Sequence, residues 1–181
     1  IDSIVKSLNY SVSVQVVSAD KYDVLYSYNP QKKMIPASIS KVVTSVAGFA
    51  YLGPGYEFKT IVYTDDINIA DGVINGNLYI KGFGDPDLNS NDIRYLAKKI
   101  LGKNITSITG NIIYDEAYLD DVHYGLAEYY SNDTKKQYWP YVNALALDKN
   151  SGGYDPASSA ASLLQSELQA GNVQLGGIIV A

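Results

Sequence analysis

A mixed α/β chain carrying a small inserted α+β segment is the fold class this sequence predicts. Strand-period and helix-period runs alternate along its 181 residues, and a nearly all-apolar helix separates an opening hairpin from a longer strand-rich middle. A hydrophobic content of 46% is enough to bury a real core.

The elements follow in order. Val12, Val14 and Val16 alternate with polar residues, Ala19-Asp20-Lys21 reads as a turn, and Tyr22–Tyr26 alternates again, so residues 11–27 predict an antiparallel hairpin. After Pro36-Ala37-Ser38, the residues Ile39, Val42, Val43, Val46, Phe49 and Ala50 form an apolar stripe that Gly53-Pro54-Gly55 stops. A helix apolar around most of its circumference is expected to lie buried at a domain centre. Phe58–Tyr63 and Gly76–Ile80 read as strands, Asn91–Leu101 as an amphipathic helix, and Ile105–Tyr114 as strands broken at Gly110. Residues 115–140 lack a period and read as a long loop. Ala160–Ala170 predicts a last helix and Val173–Val180 a last strand. The apolar end at Ala181 suggests polypeptide continuing beyond it.

Composition excludes several functions. The chain has no cysteine and one histidine, His123, so thiolate chemistry and a His-rich zinc site are disfavoured. Asp115, Asp120 and Asp121 lack EF-hand spacing and read as an acidic loop, so no metal is expected. No cofactor is expected either: Gly82-Phe83-Gly84 has neither a G-K-S/T nor a following helix start. A net charge of −5 without a Lys/Arg stripe argues against nucleic acid. No apolar run approaches the roughly 20 residues of a transmembrane helix. Ile1-Asp2-Ser3 does not resemble a signal peptide, and the chain reads as one from which such a peptide has been removed. Seventeen tyrosines in a cysteine-free chain suit an exported protein, periplasmic or extracellular.

Covalent chemistry then falls to Ser, Thr or Lys. Ser and Lys three apart on a helix share a face, about 5–6 Å apart at Cβ, so the amine reaches the hydroxyl. Three pairs have this spacing: Ser3/Lys6, Ser18/Lys21 and Ser38/Lys41. Only Ser38/Lys41 follows strands and opens the apolar helix. Unpaired N–H groups there favour a developing oxyanion, and apolar enclosure would favour the neutral amine of Lys41 as a base. The same spacing also fits a Ser38 N-cap followed by a snorkelling Lys41.

Pro36-Ala37-Ser38-Ile39-Ser40-Lys41-Val42-Val43-Thr44 and Tyr51-Leu52-Gly53-Pro54-Gly55-Tyr56-Glu57-Phe58 resemble segments of the class C low-molecular-mass penicillin-binding proteins, which are D-alanyl-D-alanine carboxypeptidase/endopeptidases. Gly76–Leu88, Ile108–Asp115 and Ala144–Asn150 are similar to further family segments, in family order. The resemblance implies an interrupted transpeptidase/β-lactamase-like α/β domain, incomplete here, from residues 1–58 and 142–181, with a small β-rich α+β domain inserted at 59–141. It also implies an exported serine D,D-peptidase with Ser38 as nucleophile and Lys41 as its proton-transfer partner, peptidoglycan stem peptides as substrates, and β-lactam antibiotics as acylating ligands. Asp133 and Tyr138 stand where some members place an Asp and an aromatic that contact the amino-bearing side chain of the peptide. An ordinary loop Asp and packing Tyr fit as well.

The superfamily signature is S-x-x-K, then S-D-N or S-x-N, then K-T-G. Ser7-Leu8-Asn9 and Ser27-Tyr28-Asn29 precede Ser38, and Lys59-Thr60-Ile61 lacks the Gly. The second and third motifs are therefore expected on polypeptide beyond Ala181. Two other readings compete: a class A β-lactamase, disfavoured by the β-rich segment after the helix, and a truncated, non-catalytic peptidoglycan-binding or assembly module.

Overall fold

The computed structural model describes residues 1–120, 123, 142–150 and 155–181. The chain divides into two compact units, Ile1–Tyr56 and Glu57–Ala181.

The first unit opens with helix α1 (Asp2–Ser7), where Asp2 and Lys6 form an exposed ion pair one turn apart. Strands β1 (Val14–Val17) and β2 (Val24–Tyr28) make the expected antiparallel hairpin, with Val14 opposite Tyr28. The Tyr26 hydroxyl donates to Asp2 and ties α1 to it. A 3₁₀ turn, Ala37–Ile39, leads into α2 (Ser40–Leu52), which Gly53 stops at φ 79°.

The expected burial of α2 is not met. None of its residues is buried, and Val43 and Phe49 are 71% and 67% exposed. The physical reason is shortage of layers: a two-stranded hairpin and short helices cannot cover an apolar helix on all sides. Val5 is the one buried residue described in this unit.

The second unit is built on three strands that each kink at glycine. β4 (Val73–Ile74) continues into β5 (Leu78–Gly82), β6 (Ser107–Ile108) into β7 (Ile112–Asp115), and β8 (Gln174–Leu175) into β9 (Ile179–Val180). The first halves form a parallel sheet in the order β4-β6-β8; the second halves form β3-β5-β7-β9, with β3 (Thr60–Thr64) antiparallel on β5. A Cβ at Gly110 would stand 2.5 Å from both Asn77 Oδ1 and Gly76 O, so only glycine lets the strands approach there. An amide ladder bridges the kinks: Asp65 accepts from Asn77 N at 2.7 Å, Asn77 Oδ1 from Asn111 N at 2.8 Å, and Asn111 Oδ1 from Ile178 N at 3.0 Å.

Helices α3 (Ser90–Leu101) and α4 (Pro156–Ala170) connect the parallel strands and pack against each other and the sheet. α3 starts with a capping box, Asn89 and Asp92; α4 starts with the Asp155 side chain accepting from Ser158 N and with Pro156 in its first turn. Their inner faces are Ile93 and Ala97, and Ala157, Ala160, Ala161, Leu164 and Leu168, all buried with Leu78, Ile80, Ile108 and Ile112. The other sheet face carries the stacked rings of Tyr63 and Tyr79, 4.9 Å apart, and the Lys81–Asp115 pair.

Residues 156–181 make their strand pairings within 57–181. β8 and β9 extend the parallel ladders of β6 and β7, and α4 packs on α3, because the Gly176-Gly177 kink matches the Gly110 kink beside it.

Candidate active site

Ser38 does not begin α2 itself; it sits in the preceding 3₁₀ turn. Ala37, just before it, has φ 45°, a left-handed conformation that non-glycine residues seldom take. The turn is closed by Ile39 N donating to Pro36 O and by Ser40 Oγ donating to Ala37 O, at 2.9 and 2.7 Å. Lys41 is in the first turn of α2, and its Nζ donates to Ser38 Oγ at 2.8 Å. Neither the 3₁₀ turn nor α2 has a side-chain N-cap, so the reading of Ser38 as a cap is not what its hydroxyl does.

Both side chains are exposed. The apolar enclosure expected around Lys41 is not supplied by the described residues, since the stripe of α2 meets solvent. The pair can exchange a proton and can present an oxygen nucleophile. Asp133 and Tyr138, the expected substrate contacts, lie outside the described residues.

The other sequence landmarks meet in the second unit. The segment after β5 bends at Gly84, φ 82°, and its N–H donates to Ala144 O at 2.8 Å. Gly82 lies so close to Ala144 that a side chain there would collide with its backbone. Asp148 N donates to Leu88 O at 3.0 Å, and the Asp148 carboxylate accepts from Ser90 N and from Ser90 Oγ. Those hydrogen bonds hold the Asp148 carboxyl below its ordinary range. Asp148, Lys149 and Asn150 take φ of 47°, 57° and 55°, a left-handed turn of three non-glycine residues.

Asn143, 5% exposed, ties this region together. Its Nδ2 donates to Glu116 and to Leu145 O, and its Oδ1 accepts from Asn150 Nδ2. At the neighbouring strand ends, Lys81 Nζ and Asp115 pair at 2.6 Å. Burial alone would push the Asp115 carboxyl up, but the Lys81 hydrogen bond and the Ala117 N–H hold it below its ordinary range. The same bond raises Lys81. Sequence reasoning missed this convergence; Asp148-Lys149-Asn150 carries no local period to announce it.

Residues 4–173 match the D-Ala-D-Ala carboxypeptidase 3 (S13) family. The chain is 27% identical over 134 residues to the D-alanyl-D-alanine carboxypeptidase of Actinomadura sp. (strain R39), covering 74% of this chain and 24% of that protein. It is 29% identical over 103 residues to the D-alanyl-D-alanine carboxypeptidase DacB of Haemophilus influenzae, covering 57% of this chain and 21% of that one. The crystal structure of penicillin-binding protein 4 (dacB) from Haemophilus influenzae superposes with a TM-score of 0.77 at 19% identity, over 89% of this chain and 51% of that one. A complex of the same protein with a β-lactam gives 0.66 at 17% identity, over 89% and 48%. The chain thus spans about a quarter of the curated relatives and about half of the solved ones. The mixed α/β fold expected from the sequence is the fold found. Because the family match runs nearly end to end, this chain belongs to the D-Ala-D-Ala carboxypeptidase 3 (S13) family.

Proposed function

We propose that the protein containing this chain is an exported, penicillin-binding serine D,D-peptidase that cleaves D-Ala-D-Ala ends or cross-link peptides of peptidoglycan through an acyl-enzyme. The observation carrying this reading is the 2.8 Å contact between Lys41 Nζ and Ser38 Oγ in a chain of this family. Lys41, as the proton-transfer partner, takes the Ser38 hydroxyl proton while Oγ attacks the peptide carbonyl carbon. The C–N bond then breaks, the proton passes to the leaving amine, and water hydrolyses the Ser38 ester. A β-lactam forms the same ester by opening its ring. Asp133 would attract the free amine of the stem peptide by charge, and Tyr138 would contact the same side chain.

Fluorescent penicillin should label the full gene product at Ser38. Ser38→Ala should abolish the label, and Lys41→Met should slow acylation by about 10²–10⁴-fold, the usual scale for removing a general base. Undiminished labelling of Ser38→Ala would refute the assignment.

A second reading is favoured by the exposure of α2: a non-catalytic peptidoglycan-binding or assembly module. Efficient acylation of the isolated 181 residues would exclude it.

A further inference from the structure

Within the second unit, Gly84–Asp87 and the 142–150 segment enclose a cleft of about 400 Å³, and a second hollow of about 330 Å³ adjoins it. Asp87 and Lys149 line both, so they stand where the two hollows meet. The larger volume falls in the range, about 300–1,000 Å³, of clefts that hold small molecules.

The charges in this cleft are arranged for a ligand rather than for each other. Among the described residues, Asp87 and Lys149 form no ion pair, with one another or with any other group. Of the rest of the wall, Asn143 and Asn150 satisfy one another, and a further carboxylate, Asp85, accepts from Asp87 N. Leu119 and Ala146 add apolar lining. Lys149 cannot swing away with its backbone, because Asp148 is held by Ser90 on one side and Asn150 accepts from Leu147 N on the other. A cation and an anion that line one small cleft without pairing suit a molecule bearing both opposite charges.

We propose that this cleft binds a free amino acid or a free dipeptide as a zwitterion, its carboxylate on Lys149 and its ammonium on Asp87. The binding is non-covalent and goes beyond the chemistry proposed for Ser38. Only the choice of D-alanyl residues below rests on that reading.

The test titrates the 181-residue chain with D-alanyl-D-alanine by calorimetry, alongside the N-acetylated dipeptide, the dipeptide amide and L-alanyl-L-alanine. Saturable binding of the free dipeptide, weakened about tenfold by either cap, is expected for a contact between full charges. Lys149→Gln should lose the preference for acid over amide, and Asp87→Asn the preference for free over acetylated amine. Circular dichroism checks folding, and either variant alone suffices for the test. Equal binding of the L-dipeptide would support the cleft and detach it from D-peptide chemistry. No saturation at millimolar peptide, or parental affinity in both charge variants, would overturn the proposal.

Discussion

Ser38 and Lys41 show what residue spacing alone conveys. The three-residue interval was enough to bring amine and hydroxyl together, and the structure does so at 2.8 Å. What the interval could not convey is their surroundings, because the cover over α2 depends on residues outside the helix. Lys149 is the opposite case. Its left-handed φ of 57° has no sequence signal, since Lys is not a residue that favours φ > 0, and hydrogen bonds of its neighbours impose it. The side chain is exposed, so Lys149→Gly removes the Cβ strain, about 1–2 kcal/mol, at an entropic cost of about 0.5–1 kcal/mol. A rise in stability of about 0.5–1 kcal/mol in urea unfolding is expected. A fall would mean that the Lys149 side chain makes a stabilising contact.

Among the elements, those with a local period were legible. The hairpin, α2 and α3 appear where alternation or an apolar stripe put them. Helix α4 begins earlier than its apolar run, at Pro156, because Asp155 caps it. The break at Gly110 divides β6 from β7 in the sequence, whereas the two-residue strands β4 and β8 were not separable there and α1 was missed, because these are too short to display a period. Strands β4, β6 and β8 exist through parallel partners distant in the chain, and glycine kinks divide them from β5, β7 and β9. The amide ladder across those kinks is testable. Asn111→Ala removes the acceptor of Ile178 N, an exposed hydrogen bond, and should cost about 0.5–1.5 kcal/mol. Gly110→Ala should cost more, since its Cβ would collide with Gly76 O and Asn77 Oδ1. Equal urea midpoints for Gly110→Ala and the parent chain would show that the kink relaxes without penalty.

At the scale of the whole molecule, acid tests how far the carboxylates hold the second unit together. Asp65 is held below its ordinary range by hydrogen bonds from Asn77, Asp148 by those from Ser90, and Asp115 by Lys81 against the pull of burial. A carboxyl depressed in the folded state binds its proton more readily when unfolded, so stability rises with pH across this window. These contributions are complete above the ordinary Asp value of 3.8 and are lost as pH falls below it through the depressed values. The melting temperature should therefore change little on account of these groups from neutrality to about pH 5 and drop below about pH 4. Asp65→Asn should blunt that drop. The convergence of Gly84–Asp87 with residues 142–150 was illegible in sequence for a related reason: Ser90 and Asp148 are 58 positions apart, and only the completed sheet brings them together. The amide ladder also constrains how the chain can diverge. Asn77, Asn111 and Ile178 each register against the preceding strand, so one residue gained or lost between a kink and its strand would misalign every rung after it. Length changes among descendants of this sequence should accumulate in the connections that lead to and from α3 and α4, leaving the distance from each kink to its strand unchanged.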